Sequence, residues 1–120
     1  MPLRCLLVDD SDAFLETASL LLEREGLTVV GAASSIAEAL QQARALRPDL
    51  VLVDIGLGTE SGFTLAGLLA RDYQGSEVIL ISAGAEADYA ELIDESPAAG
   101  FVAKSELSVS RICRILGYAS

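Results

Sequence analysis

Short apolar runs alternate with longer segments of helical periodicity along the whole chain, and this alternation limits the folds that it can adopt. The strand-like runs cover residues 3–8, 27–32, 50–54, 77–82 and 100–103, and the helical segments cover residues 11–25, 35–46, 61–73, 86–94 and 105–116. Most of the strand-like runs are apolar throughout, which is typical of strands covered by helices on each side. The pattern predicts the α/β fold class, with a doubly wound, five-stranded parallel sheet and helices on both faces.

Local signals support several of these boundaries. Ser35 with Glu38 is a capping-box pattern at the start of the second helix, and Gly26 and Pro48 follow the first and second helices. The segment "GAEADYAELIDESPAAG" is the weakest helix prediction, because alanines and acids outnumber its apolar residues. We expect this fourth helix to be mobile.

The size, charge and cysteines of the chain limit its number of domains, its partners and its location. With 120 residues, of which 52% are hydrophobic, we expect one domain over residues 1–120. The formal net charge of -10 argues against direct binding of nucleic acid or of an anionic membrane. No apolar run approaches the ~18 residues of a membrane span. Cys5 and Cys113 match no metal or redox motif and no signal peptide is present, so we expect core thiols and a cytoplasmic location.

Polar residues stand where four of the five strand-like runs end. They are Asp9 and Asp10 after the first run, Asp54 at the end of the third, Ser82 at the end of the fourth and Lys104 after the fifth. Ligands of doubly wound sheets gather beyond the carboxyl ends of the strands, so we expect these residues to form one site. The carboxylates are hard oxygen ligands suited to Mg²⁺, beside which an aspartate can attack a phosphoryl group. Ser82 and Lys104 would then supply a hydrogen bond and a positive charge to the phosphoryl oxygens.

Four segments carry a resemblance to a known family: "LLVDDSDAF", "LVLVDIGLGTESGF", "VILISA" and "AAGFVAKSEL". Over essentially its whole length the chain resembles the receiver domain of response regulators, and it is most similar to receivers of the NarL/FixJ type. The resemblance implies the flavodoxin-like strand order 2-1-3-4-5. It also implies a signalling domain that is not a conventional enzyme, although it supports its own phosphotransfer and a slow autodephosphorylation.

The resemblance assigns a role to seven positions. They are the phosphoacceptor Asp54; the Mg²⁺ or Mn²⁺ ligands Asp9, Asp10, Asp54 and the backbone carbonyl of Gly56; and the phosphoryl-contact or switch residues Ser82, Lys104 and Phe101. The implied partners are a sensor histidine kinase and an output domain in cis or a partner protein in trans, with homodimer formation on phosphorylation. Receivers of the NarL/FixJ type usually precede a DNA-binding domain, so the resemblance implies control of transcription.

The chain departs from the family pattern at two positions. Gly58 stands where the loop after the phosphoacceptor commonly has a proline, which predicts a looser loop, although the family's glycine is present as Gly62. Ser105 stands where most members have a proline after the lysine, often in a cis peptide. A serine predicts a trans bond between Lys104 and Ser105.

Plainer interpretations exist for each site residue. Acids beside the start of a helix stabilise its N-terminus. We interpret Asp12 in this way, and the same role remains an alternative for Asp9 and Asp10. The remaining alternatives are a turn-forming Asp54, a helix-capping Ser82, a solvated Lys104 and a Phe101 that is only core.

The whole chain also allows other functions. It could be a pseudo-receiver, a protein-interaction module that acts without phosphorylation. A Mg²⁺-dependent phosphatase with an aspartate nucleophile is disfavoured, because Gly56 stands where its second acid is needed. The glycine-rich "GLGTESG" lacks the spacing and position of a dinucleotide fingerprint, so nucleotide binding is disfavoured too.

Overall fold

A parallel sheet flanked by helices forms the centre of the fold, which a computed structural model describes for residues 3–118. The strands are Arg4–Val8 (β1), Thr28–Ala33 (β2), Leu50–Asp54 (β3), Gly56–Leu57 (β4), Glu60–Ser61 (β5), Glu77–Ser82 (β6) and Gly100–Ala103 (β7). The α-helices are Asp12–Arg24 (α1), Ile36–Leu46 (α2), Gly62–Asp72 (α3), Ala90–Glu95 (α4) and Val109–Leu116 (α5). Two short 3₁₀ segments, Glu86–Tyr89 and Lys104–Glu106, precede the last two helices.

The main sheet has the order β2-β1-β3-β6-β7, and every neighbouring pair in it is parallel. This confirms the predicted doubly wound α/β class and the strand order 2-1-3-4-5. The two-residue strands β4 and β5 pair with each other in a separate antiparallel hairpin.

Alternate residues of the strands supply two hydrophobic cores, one on each face of the sheet. In β1, Leu6 and Val8 join the core that includes residues of α2 and α3, whereas Cys5 and Leu7 join the core that includes residues of α1 and α5. Strands with apolar side chains on both faces are stable only when both faces are covered. Most of the strand segments are therefore apolar throughout because helices cover both faces of the sheet.

Serine hydroxyls cap four of the five α-helices. Ser11, Ser35, Ser61 and Ser108 each accept a backbone N–H from the first turn of α1, α2, α3 and α5, respectively. At Ser35 one half of the predicted capping box forms, because Ser35 Oγ accepts the N–H of Glu38 at 3.2 Å. Glu38 Oε1 accepts the N–H of Ser34, one residue before the cap, at 2.8 Å.

The fourth helix differs from the predicted range 86–94. Residues Glu86–Tyr89 form a 3₁₀ turn, and the α-helix is limited to Ala90–Glu95. None of these ten residues is buried, and Tyr89 at the N-cap of α4 makes no side-chain hydrogen bond to the helix. Without a cap or a buried face, little favours a longer helix here.

The last helix starts later than the predicted residue 105. Residues Lys104–Glu106 form a 3₁₀ turn, the extended Leu107 is buried, and the capping serine is Ser108, whose Oγ accepts the N–H of Arg111 at 3.1 Å. The loop after Asp54 contains the β4-β5 hairpin, in which Gly58 takes a left-handed backbone with φ of 67°. Glycine adopts this conformation at little cost. The looser loop expected at Gly58 stays a prediction.

Further observations concern the peptide bonds, the helices and the domain bounds. No cis peptide bond occurs within residues 3–118, so the bond between Lys104 and Ser105 is trans, as predicted. None of the described helices is long and apolar enough to cross a membrane. The predicted single domain over 1–120 includes residues 1–2 and 119–120, which lie outside the described residues.

Candidate functional site

The carboxyl ends of four strands bring the predicted polar residues to one edge of the sheet. Asp9 follows β1, Asp54 ends β3, Ser82 ends β6 and Lys104 follows β7. The N–H of Asp9 donates to the carbonyl of Ala33 at the end of β2 (3.0 Å), which fixes its backbone against the neighbouring strand. The position of the site thus follows directly from the parallel topology.

Three carboxylates form an acidic group at this edge. One oxygen from each of Asp9, Asp10 and Asp54 lies within 4.8 Å of the other two. Asp9 is fully buried and Asp54 is 8% exposed, whereas Asp10 is exposed. Asp12 lies in the first turn of α1 and is not a member of this group, in agreement with its interpretation as a helix-terminal acid.

Lys104 is the cation that faces the acidic group. Its Nζ lies 2.6 Å from Oδ2 of Asp9 and 3.2 Å from Oδ2 of Asp54. The contact to Asp54 is a hydrogen bond, whereas the angles at Asp9 make that contact a close ion pair only. Oδ2 of Asp9 is therefore buried without a hydrogen-bond donor of suitable angle among residues 3–118.

The charges of the site perturb one another. Burial and the neighbouring Asp9 carboxylate raise the pKa of Asp54, and the hydrogen bonds from Lys104 and the Gly56 N–H oppose this only in part. For Lys104, burial by itself would lower the pKa, but the two carboxylates outweigh burial and the pKa is raised. One ammonium thus contacts two of the three carboxylates.

The residues fit a divalent cation of the hard type. Mg²⁺ prefers carboxylate and carbonyl oxygens, and it is usually held by one or two carboxylates with several waters. Asp9 offers an oxygen that lacks a well-angled donor, and Asp10 offers one that is open to solvent. A cation would also relieve the repulsion that raises the pKa of Asp54.

The loop after Asp54 passes close beneath it. Oδ1 of Asp54 accepts the N–H of Gly56 at 3.2 Å, and the N–H of Gly62 donates to the carbonyl of Ile55 at 2.7 Å. A Cβ on Gly62 would overlap the carbonyl oxygen of Asp54 and lie 2.8 Å from its carbonyl carbon. Only glycine allows α3 to start this close to the end of β3.

The two predicted switch residues lie in different surroundings. Ser82 is buried, and its Oγ accepts the N–H of Gly84 at 3.0 Å. Phe101 is half-buried in β7, pairs in register with Leu80, and packs against the core on the α2 and α3 face. The structure thus brings Asp9, Asp10, Asp54 and Lys104 into one group, with Ser82 on the adjacent strand end and Phe101 packed against the core.

One aromatic residue at the site was not predicted there. The ring of Phe14, in the first turn of α1, lies under the ammonium of Lys104, with 4.3 Å between Nζ and the ring centroid. Helical periodicity marks Phe14 only as a core-facing residue. Its position one turn after the aspartate pair was the only signal that could have placed it near the site.

Comparison with known proteins identifies the family. A family model described as the response regulator receiver domain matches residues 5–116. The chain belongs to this family. The predicted membership of the receiver family and the predicted fold are therefore confirmed, and the domain is a receiver of two-component signalling.

Individual relatives agree with this assignment. A putative transcriptional regulator of Pseudomonas aeruginosa is 35% identical over 119 residues, which are 96% of this chain and 58% of that protein. The receiver of the putative response regulator NarL from Mycobacterium tuberculosis has a TM-score of 0.80 and 29% identity, over 97% of this chain and 94% of that one. A response regulator from Burkholderia pseudomallei, solved with a phosphorylated aspartic acid, calcium ion and citrate, has a TM-score of 0.81 and 27% identity, over 93% of this chain and 65% of that one. The chain spans about half the length of the curated relatives that it matches.

Proposed function

We propose that Asp54 accepts a phosphoryl group from a sensor histidine kinase in a Mg²⁺-dependent reaction. The observation that carries this proposal is the grouping of Asp54 with Asp9, Asp10 and Lys104 at the strand ends. The solved Burkholderia pseudomallei response regulator, which contains a phosphorylated aspartic acid and a calcium ion, supports it by similarity.

Each residue has a chemical task in the proposed transfer. A carboxylate oxygen of Asp54 forms a bond to phosphorus while the bond from phosphorus to the imidazole nitrogen of the kinase histidine breaks, and the electron pair leaves on that nitrogen. Lys104, already 3.2 Å from Asp54 Oδ2, contacts a phosphoryl oxygen and offsets its charge. The hydroxyl of Ser82 donates a hydrogen bond to another phosphoryl oxygen.

A divalent cation would be held by Asp9, Asp10, Asp54 and the backbone carbonyl of Gly56. When bound, it neutralises charge on the carboxylates and on the incoming phosphoryl group. Mg²⁺ is the proposed ion, with Mn²⁺ as an alternative. The domain also hydrolyses its own aspartyl phosphate slowly, so that the signal decays.

The proposed output is a change in a protein-interaction face. The phosphoryl group adds negative charge at Asp54, Ser82 moves toward it, and Phe101 follows in the adjacent strand. No residue from Glu86 to Glu95 is buried, and only Tyr89 and Ile93 pack against the core, so fewer contacts oppose its displacement than oppose that of the other helices.

We propose that this face controls a transcriptional output domain in cis or a partner protein in trans, and that phosphorylation favours a homodimer. The P. aeruginosa relative supports the transcriptional output, because it is a putative transcriptional regulator of which this chain covers 58%. The proposed location is the cytoplasm, in keeping with the free thiols of Cys5 and Cys113.

The deciding experiment is the intact mass of the protein after incubation with acetyl phosphate, with and without Mg²⁺. We expect the wild-type chain to gain the mass of one phosphoryl group only when Mg²⁺ is present. Asp54→Asn should gain none, and Asp12→Asn, which removes an acid outside the group, should behave as wild type. A folded wild-type protein that gains no mass in any condition would instead favour a protein-interaction module that acts without phosphorylation.

A further inference from the structure

We propose that Phe14 is a positioning residue, whose ring face holds the ammonium of Lys104 in place for the phosphoryl group. This inference rests on the proposed function of Asp54. Phe14 is assigned no role by the resemblance to receivers, and periodicity alone would make it an ordinary core residue.

The contact itself has the geometry of a cation–π interaction. Nζ of Lys104 lies 4.3 Å from the centroid of the Phe14 ring. A cation within ~6 Å of a ring is attracted by the negative ring face, more strongly where water is excluded. The side chain of Lys104 is only 19% exposed, so water screens this attraction less than at the surface.

Phe14 is itself tied to the site through the start of α1. The N–H of Ser11 donates to Oδ1 of Asp9 at 2.8 Å, and the N–H of Phe14 donates to Oγ of Ser11 at 3.2 Å. Lys104 links the two residues, because its ammonium contacts both the Phe14 ring and Oδ2 of Asp9. The helix cap therefore fixes the backbone of Phe14 relative to the aspartate that the same lysine contacts.

The ring is also anchored by packing. Phe14 is half-buried and packs against the core on the α1 and α5 face of the sheet. A lysine has a long and flexible stem, so a fixed surface beside its ammonium limits the positions that the charge can take.

A neutral partner suits the proposed transfer better than another carboxylate would. Lys104 must exchange its contact with Asp54 for one with a phosphoryl oxygen. A ring attracts the ammonium without carrying a formal charge, so it keeps the lysine near while competing weakly with the phosphoryl oxygens. Removing the ring face should therefore slow phosphorylation of Asp54.

The test compares two replacements of Phe14 that differ in what they keep. Phe14→Leu removes the ring, whereas pentafluorophenylalanine at this position keeps its shape and reverses the charge pattern of its face. We expect both to lower the rate of phosphorylation by acetyl phosphate with Mg²⁺ by about fivefold to tenfold, the range that a partly desolvated cation–π contact corresponds to. Phe14→Tyr keeps a ring face and should stay within about twofold of wild type. Phe63→Leu, the same change at a half-buried aromatic on the other face of the sheet, should not change the rate.

A second readout follows the lysine directly, because Lys104 is the only lysine in the chain. Labelling lysine with ¹³C therefore gives one ε-methylene signal by NMR. In the wild type the ring of Phe14 should shift the proton frequency of this signal. That shift should disappear in Phe14→Leu and persist in Phe14→Tyr. Thermal unfolding of each variant shows whether it is folded, and the fluorinated protein keeps a ring of the same shape, only slightly larger than that of the wild type.

The outcomes separate this proposal from the proposed function. A rate that falls with Leu but not with pentafluorophenylalanine would mean that the ring acts only by packing, and would overturn the proposal. A lost ring shift with unchanged rates would overturn it as well. If the wild-type chain is never phosphorylated, the proposed function fails and the positioning role fails with it, while the NMR shift still reports whether the ring contacts the lysine.

Discussion

Asp54 carries a charge that folding makes less favourable. Burial and the Asp9 carboxylate raise its pKa above the ordinary value of 3.8, so ionised Asp54 stabilises the folded state less than neutral Asp54 does. We expect Asp54→Asn to raise the free energy of unfolding at neutral pH without Mg²⁺. A raised pKa contributes stability that is present below the unfolded value and lost as pH rises through the folded one, so this gain should disappear below pH 3.8. Urea unfolding at several pH values measures it.

The matched control for this variant is Asp72→Asn. Asp72 is exposed, and a hydrogen bond from Arg71 lowers its pKa. Neutralising it should therefore not stabilise the protein at neutral pH. Equal effects of the two substitutions would mean that any loss of negative charge stabilises this acidic chain, and would refute the local explanation for Asp54.

Ionisation of the buried Cys5 thiol should lower the free energy of unfolding as the pH rises into the alkaline range. Burial raises the pKa of its thiol from 9.0 to about 12, so the unfolded chain ionises the thiol before the folded protein does. The stability is complete below pH 9.0 and falls as pH rises toward 12, by about 1.4 kcal/mol per pH unit from this group. Cys5→Ala should start from a lower stability, because it leaves a small cavity, but it should lack this part of the slope. Parallel slopes in the two proteins, from urea unfolding between pH 9 and 10.5, would contradict the assignment to Cys5.

At the scale of single residues, the sequence predicted the polar members of the site better than the apolar one. Asp9, Asp54 and Lys104 could be placed together because parallel strands end at a common edge, so position along the chain implies position in space. Phe14 could not, because helical periodicity reports that a side chain faces the core but not which side chain of another element lies against it.

Helix α3 depends on the absence of a side chain at its first residue. A Cβ on Gly62 would overlap backbone atoms of Asp54, which cannot move without disturbing β3. We expect Gly62→Ala to lower the free energy of unfolding by about 1–3 kcal/mol, as overpacking does. Gly67→Ala in the same helix meets open space and should raise stability by up to about 1 kcal/mol, because alanine favours helix. Urea unfolding of the two variants checks both signs, and a loss of the same size in each would refute the role of close approach.

The ends of elements were less predictable than their existence. The last helix could begin after Ser105 or after Ser108, since both are good caps; the structure uses Ser108, which leaves Leu107 extended and buried. The α-helical part of the fourth helix is shorter than predicted, because its length depends on burial that only the folded molecule defines. The β4-β5 hairpin rests on a left-handed Gly58, a conformation that the sequence permits without requiring it.

At the scale of the whole molecule, the architecture was predictable because the strands are apolar on both faces. A chain with five strands between amphipathic helices, most of the strands being apolar on both faces, has few alternatives to a covered parallel sheet, and the two cores on opposite faces are the physical result. The apolar pattern alone does not determine the strand order. It came from the resemblance to receivers, since several orders bury the same apolar residues equally well.

The net charge of -10 makes the molecule sensitive to ions in two separable ways. Salt screens the general repulsion among its acids, so NaCl should raise the free energy of unfolding. MgCl₂ at the same ionic strength should raise it further, because a cation bound at Asp9, Asp10 and Asp54 stabilises only the folded state, by about 2.7 kcal/mol at a hundred times its Kd. Asp10→Asn removes an exposed member of the group and should abolish most of this excess, whereas Asp12→Asn should retain it. Thermal unfolding in matched salts measures both effects, and equal responses to NaCl and MgCl₂ would mean that the acidic group only contributes to diffuse screening and holds no specific ion.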